Sequence, residues 1–313
     1  MGFVALIFAL LIEQGRPLPE RNPVHRGFAW LADAVMNGTN AGERRHGVAG
    51  WFAIAAGSVA ALWLVQWLLA ELHPLALFCL HVAVLYLTIG FRQFSHPFSE
   101  IQLALAAGDI AGARATLQAW LRREDPEFEA GDAPVSEICR LSIANALVAA
   151  HRHVFGPLFW YIVLPGAVGP VLYRVAEMLA RRWSRPGERY GEFAVTAFRA
   201  IDWLPLRFSA TGFAIVGNFE DAVYAWRGAV AAGTGDDGRA LLLAAGGGAL
   251  GLRIAEPELE ARWASEGGEQ GFEGQGAEPG SDGLRSAVGM VWRSVVLWIA
   301  LFAMLTLASW LGR

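Results

Sequence analysis

Residues 154–180 form an apolar stretch long enough to enter a bilayer, yet Pro157, Pro165, Gly166, Gly169 and Pro170 interrupt it. Three prolines and two glycines remove helix donors and loosen the backbone. At membrane depth such backbone is tolerated only where protein or a watery cavity satisfies the freed groups. A broken helix also aims half-helix N-termini at the break, where free N–H groups suit an anion. The stretch therefore reads either as an internal site of a membrane protein or as a kinked packing helix.

Composition supports the membrane. The chain is 55% hydrophobic with thirteen tryptophans, and its mean hydropathy of +0.37 exceeds that of an ordinary soluble domain. All 25 basic residues are arginine, so a Walker-type phosphate loop, a Schiff-base enzyme and a lysine general base are excluded. A net charge of −4 argues against a nucleic-acid partner. Cys79 and Cys139 stand in neither a CxxC nor a zinc spacing and read as free thiols. No metal site is expected.

Residues 2–12 are apolar but too short to span, and they lack the basic start and cleavage site of a signal peptide. Residues 48–70, with Trp51, Trp63 and Trp67, make the clearest span. Residues 75–91 follow after a turn at His73-Pro74, giving a helical hairpin, and residues 294–311 form a last span. Arg16, Arg21, Arg26, Arg44 and Arg45 precede the first clear span, which places residues 13–47 in the cytoplasm. Arg174, Arg181, Arg182, Arg185 and Arg189 crowd the far end of the broken stretch. A re-entrant path turning at Leu164-Pro165-Gly166 keeps both of its ends cytoplasmic.

The expected fold is all-α: an integral membrane helical protein with about four membrane-entering segments, one of them re-entrant, and a cytoplasmic helical body. Its parts are an N-terminal helix and transmembrane hairpin (1–91), a cytoplasmic helical hairpin region (92–153), the broken segment (154–180), a second cytoplasmic helical region (181–265), a disordered linker (266–285) and a C-terminal transmembrane helix (286–313). Within the second part, Gly108-Asp109 reads as the turn between two helices. The linker is rich in Gly, Glu, Gln and Ser.

Four motifs, in order, carry a family resemblance. They are Ala104-Leu105 with Gly108-Asp109-Ile110 and Ala113-Arg114; Pro157-Leu158-Phe159-Trp160 with Gly169-Pro170 and Tyr173-Arg174; Ile201-Asp202-Trp203-Leu204-Pro205-Leu206-Arg207 with its continuation to Trp226; and Gly248-Ala249-Leu250-Gly251-Leu252-Arg253. Together they resemble the CobD/CbiB family of membrane proteins, and the third resembles its AmpE branch. The resemblance implies one of two functions. CobD/CbiB enzymes make adenosylcobinamide phosphate by ATP-dependent amide formation between a corrinoid carboxylate and an aminoalcohol phosphate. AmpE proteins are inner-membrane modulators linked to β-lactamase induction and cell-wall recycling.

Departures from the synthase pattern weigh against the first. Residues 142–156 hold Asn145 and His151-Arg152-His153 but no carboxylate. The Asn and the Thr-Leu-Asp that follow Tyr-Arg in the synthases fall on Glu177, Met178, Leu179 and Ala180, and their Asp-Asp falls on Phe198 and Arg199. ATP-driven amide formation uses metal-binding carboxylates to offset phosphate charge. The expected function is accordingly an AmpE-like modulator of the envelope or antibiotic response, with the synthase and a non-catalytic scaffold as alternatives. ATP and Mg enter only with the synthase.

The ligand-binding candidates are Arg174, Arg207, Asp202, Glu177, Asn145 and Tyr173, and no residue is assigned a catalytic role. Arg174 and Arg207 read either as bidentate holders of a phosphate or carboxylate or as snorkelling arginines. Asp202 reads as a salt-bridge partner, and His151 and His153, two apart, as a poor metal pair. Glu220 and Asp221 fit a helix surface or a site equally. The glycines at 246–248 favour close helix packing over a phosphate loop. Expected partners are the lipid bilayer, an anionic small molecule, and a membrane or cell-wall-recycling protein. The expected location is the bacterial inner membrane, crossed more than once.

Overall fold

A computed structural model of the chain describes residues 2–16, 22–185, 188–235, 237–257, 259 and 276–312. It is an all-α membrane protein in which the described residues form no strand, only one parallel bridge between Leu252 and Ala277. The helices are α1 (Gly2–Gly15), α2 (Pro23–Thr39), α3 (Arg44–Leu72), α4 (Pro74–Thr88), α5 (Phe91–Ala106), α6 (Ile110–Leu121), α7 (Val135–Ala150), α8 (Gly156–Val163), α9 (Val168–Trp183), α10 (Glu192–Val216), α11 (Phe219–Ala229), α12 (Gly238–Leu250) and α13 (Ser281–Leu311). A π-helical turn, His151–Phe155, joins α7 to α8. The chain divides into two compact units: Met1–Arg92 with His153–Pro205, and Gln93–Arg152 with Leu206–Arg313.

In the first unit α9 packs against α2, α3, α4 and α8, and α1 packs on α4. At 29 residues, α3 is about 43 Å long and exceeds the roughly 30 Å hydrocarbon core. Its buried face carries Trp51, Ile54 and Ala55 against Leu179, Trp183 and Tyr190. Trp63 and Trp67 stand on its exposed face, where lipid is the fitting solvent. Gly47 and Gly50 allow this packing, since a Cβ at either would collide with Tyr190. His73 ends α3 and starts α4: its Nδ1 accepts from the Leu75 N–H at 3.1 Å. The expected hairpin therefore forms with a one-residue turn.

In the second unit α7 packs on α6, α12 and α13, and α11 on α12. The Gly108-Asp109 turn forms as expected: Gly108 takes φ +77°, and Asp109 caps α6 by accepting from the Gly112 N–H at 2.8 Å. Close packing is the role of the central glycines. A Cβ at Gly246 would meet the Leu147 side chain at 2.6 Å, and one at Gly247 the Leu252 carbonyl at 2.8 Å.

The helices fit the expected all-α membrane fold, and one boundary moves. Among the described residues α3 and α13 are long and apolar enough to cross a membrane, and α1, α4 and α12 are shorter apolar helices. The last helix begins at Ser281, inside the expected linker, because residues 276–280 are tied down: the Ala277 N–H donates to the Gly251 carbonyl at 2.9 Å, and the Arg253 N–H to the Ala277 carbonyl at 3.1 Å. Residues 266–275 of that linker lie outside the described residues.

Candidate functional site

The stretch 154–180 is broken where expected, between α8 and α9, with Gly166 at φ +72°. The freed N–H of Ala167 donates to Oε1 of Gln66, a buried residue of the span α3, at 2.7 Å. A Cβ at Gly166 would strike the same amide. The donor at the break is thus satisfied by the protein itself, which gives the break a packing role and shifts attention to the body of α9.

Four of the six candidate residues gather there. Arg174 and Glu177, three apart on α9, form a buried ion pair at 3.0 Å, with side chains 13% and 6% exposed. The same Arg174 nitrogen donates to Nδ1 of His153 at 3.0 Å. A guanidinium has only donors, so His153 accepts through Nδ1 and, when neutral, carries its proton on Nε2. The Arg174 Nε is buried with no hydrogen-bond partner. At the adjacent position of α9, the Tyr173 hydroxyl donates to Oδ1 of Asp202 at 2.8 Å.

His25, which the sequence reading passed over, interacts electrostatically with this cluster. Asn22 caps α2 by accepting from the His25 N–H at 2.8 Å, which leaves its amide nitrogen 2.9 Å from His25 Nδ1. That nitrogen only donates, so Nδ1 must accept and the neutral ring keeps its hydrogen on Nε2. Burial first, and then the charge of Arg174, hold the His25 pKa below the ordinary histidine value; Glu177 works in the opposite direction and Arg181 in the same one. His153 thus lies directly against the buried guanidinium, and His25 is within its electrostatic reach. Such a set can hold a carboxylate or phosphate oxygen. An Asn three residues before a His at a helix start was the legible signal for it.

Asn145 and Arg207 belong to the other unit, Asn145 buried in α7 and Arg207 half-buried in α10. His151 is also in that unit and bonds Ser209 Oγ through Nδ1 at 2.8 Å, so the two histidines serve different partners. Asp221 is in the first turn of α11, its N–H donating at 3.3 Å to Oδ1 of the capping Asn218, a helix-start role for an acidic residue. Among the described residues no three His, Cys, Asp or Glu side chains converge to hold a metal ion. With Glu177 on Arg174 and Asp202 on Tyr173, the residues do not fit a protein-built Mg²⁺ site.

The family model described as CobD/Cbib protein matches residues 3–291. The chain belongs to the CobD/CbiB family. It is similar to a protein named cobalamin biosynthesis protein CobD from Chromobacterium violaceum, 33% identical over 247 residues, 78% of this chain and 75% of that one. A protein of the same name from Stutzerimonas stutzeri is 29% identical over 310 residues, 95% of each chain. A third, from Pelobacter propionicus, is 24% identical over 210 residues, 66% of this chain and 63% of that one. No solved structure matches significantly. These relatives carry the cobalamin name, which favours the cobalamin alternative over the expected AmpE-like modulator.

Proposed function

We propose that this CobD/CbiB protein serves cobalamin biosynthesis, in the amide-forming step that joins a corrinoid carboxylate to an aminoalcohol phosphate. The observation that carries this reading is the cobalamin-named relative matched over 95% of the chain. The α9 cluster supports it: a buried guanidinium whose Nε–H has no partner, with the His153 imidazole against it, can donate to an oxygen of one reacting acid. ATP supplies the activation in the family's reaction, and any Mg²⁺ arrives on its phosphates.

The test is complementation of a strain lacking its cobinamide-phosphate synthase. The chain should restore cobalamin-dependent growth on cobinamide precursors. Arg174→Lys should still insert and be stable but lose most of the rescue, because lysine keeps the charge and loses the fork. Removing one charge-assisted bond costs about 1.5–3 kcal/mol, a roughly 10- to 150-fold weakening. Absence of growth with the wild-type chain present in the membrane overturns the proposal. The likeness of residues 201–207 and 214–226 to AmpE keeps a modulator as the second reading, for which β-lactamase induction is the assay.

A further inference from the structure

The second half of α10, residues 206–216, was expected in the cytoplasmic body, and it turns a polar side chain inward and two large apolar ones outward. Its polar Ser209 points inward, 1% exposed, to a 2% exposed His151 at 2.8 Å. Of its large apolar side chains, Leu206 and Phe213 are buried, but Phe208 and Ile215 point outward, 46% and 56% exposed. A helix facing water keeps its outer face polar. Polar side chains turned to the interior and apolar ones to the outside are the pattern of a helix whose solvent is hydrocarbon.

The neighbour of this half-helix fixes what that solvent is. The Phe208 ring lies 6.2 Å from the ring of Trp298, and a Cβ at Gly212 would sit 3.4 Å from Trp298 Nε1. Trp298 is 4% exposed and belongs to the span α13, where it follows Arg293 by five residues, about 7.5 Å along the helix and inside the apolar run. At that level α13 shows Val296 and Leu301 on its own exposed face, so the apolar surface continues from the span onto α10. The exposed Thr211 returns its hydroxyl to the Arg207 carbonyl at 2.8 Å, as Thr306 of the span does to Phe302, leaving neither in need of water.

We propose that residues 206–216 are immersed in the bilayer beside α13, with Phe208 and Ile215 against lipid acyl chains. The occupant of this face is lipid, because the face is continuous with that of a membrane span and the exposed Thr211 hydroxyl on it is self-satisfied.

Spin labels placed singly by Phe208→Cys and Ile215→Cys, in the full chain with Cys79→Ser, test this in phosphatidylethanolamine–phosphatidylglycerol vesicles. Both labels should collide with oxygen and lose collision with a water-soluble nickel chelate, whereas a label from Glu220→Cys keeps it. Nickel accessibility at both positions would put the face in water and overturn the proposal. Inaccessibility to both reagents would show a protein partner or second copy on the face and would equally overturn it. The Ile215 variant, away from the Trp298 contact, decides the question should the Phe208 variant fail to fold.

Discussion

Glu13 lies at the C-terminal end of α1, buried to 5% exposure, and its Oε1 accepts from the Arg92 N–H at 3.2 Å. Burial raises its pKa from 4.5 to about 7, while the backbone N–H groups of Arg92 and Phe91 oppose the rise. The folded protein therefore holds this proton more tightly than the unfolded chain does. The resulting stabilisation is fully present below about pH 4.5 and is lost as the pH rises through about 7. Its upper size is about 3 kcal/mol. Glu13→Gln keeps an acceptor for Arg92 and removes the charge. It should flatten the pH dependence of thermal unfolding between pH 5 and 8 and raise stability at pH 8; an unchanged slope would show that Glu13 titrates normally.

Among the elements, the broken segment turns on one amide. Gln66→Leu keeps α3 apolar but takes the acceptor from the buried Ala167 N–H, and an unsatisfied buried donor costs about 1–3 kcal/mol. Thermal unfolding in detergent should register that loss, whereas Gln66→Glu, which retains an acceptor, should unfold closer to wild type. The break itself was legible, because Pro165 and Gly166 interrupt an apolar run and Gly166 takes φ +72°. Its acceptor was not, since a lone glutamine in a span carries no local signal of a partner 101 residues away. The Gly108-Asp109 turn and the glycines at 246–248 were readable for the same reason as the break: both are local rules of backbone geometry. The start of α13 escaped detection because Asp282, Arg285 and Arg293 dilute the hydropathy of its first half. In the candidate site, the pairing of Arg174 with Glu177 follows from helical spacing, but the approach of His25 and Asp202 is tertiary and left no periodic trace.

For the molecule as a whole, the arginine distribution sets an orientation that labelling can check. Cysteines introduced at Arg122 and Arg185 should both react with an impermeant maleimide only from the cytoplasmic side, and opposite sidedness would sink the re-entrant path. The bond that closes the break also has a meaning in time. A ribosome delivers Gln66 before Ala167 by 101 residues, a lead of roughly 5–20 s at translation rates of roughly 5–20 residues per second. The span is therefore synthesised first and waits with an acceptor that oil cannot satisfy, and the broken stretch arrives to find its receptor already present. Assembly in that order is templated. The chain's one glutamine inside its first span works as a bookmark, holding a place in the membrane for a segment that has not yet been made.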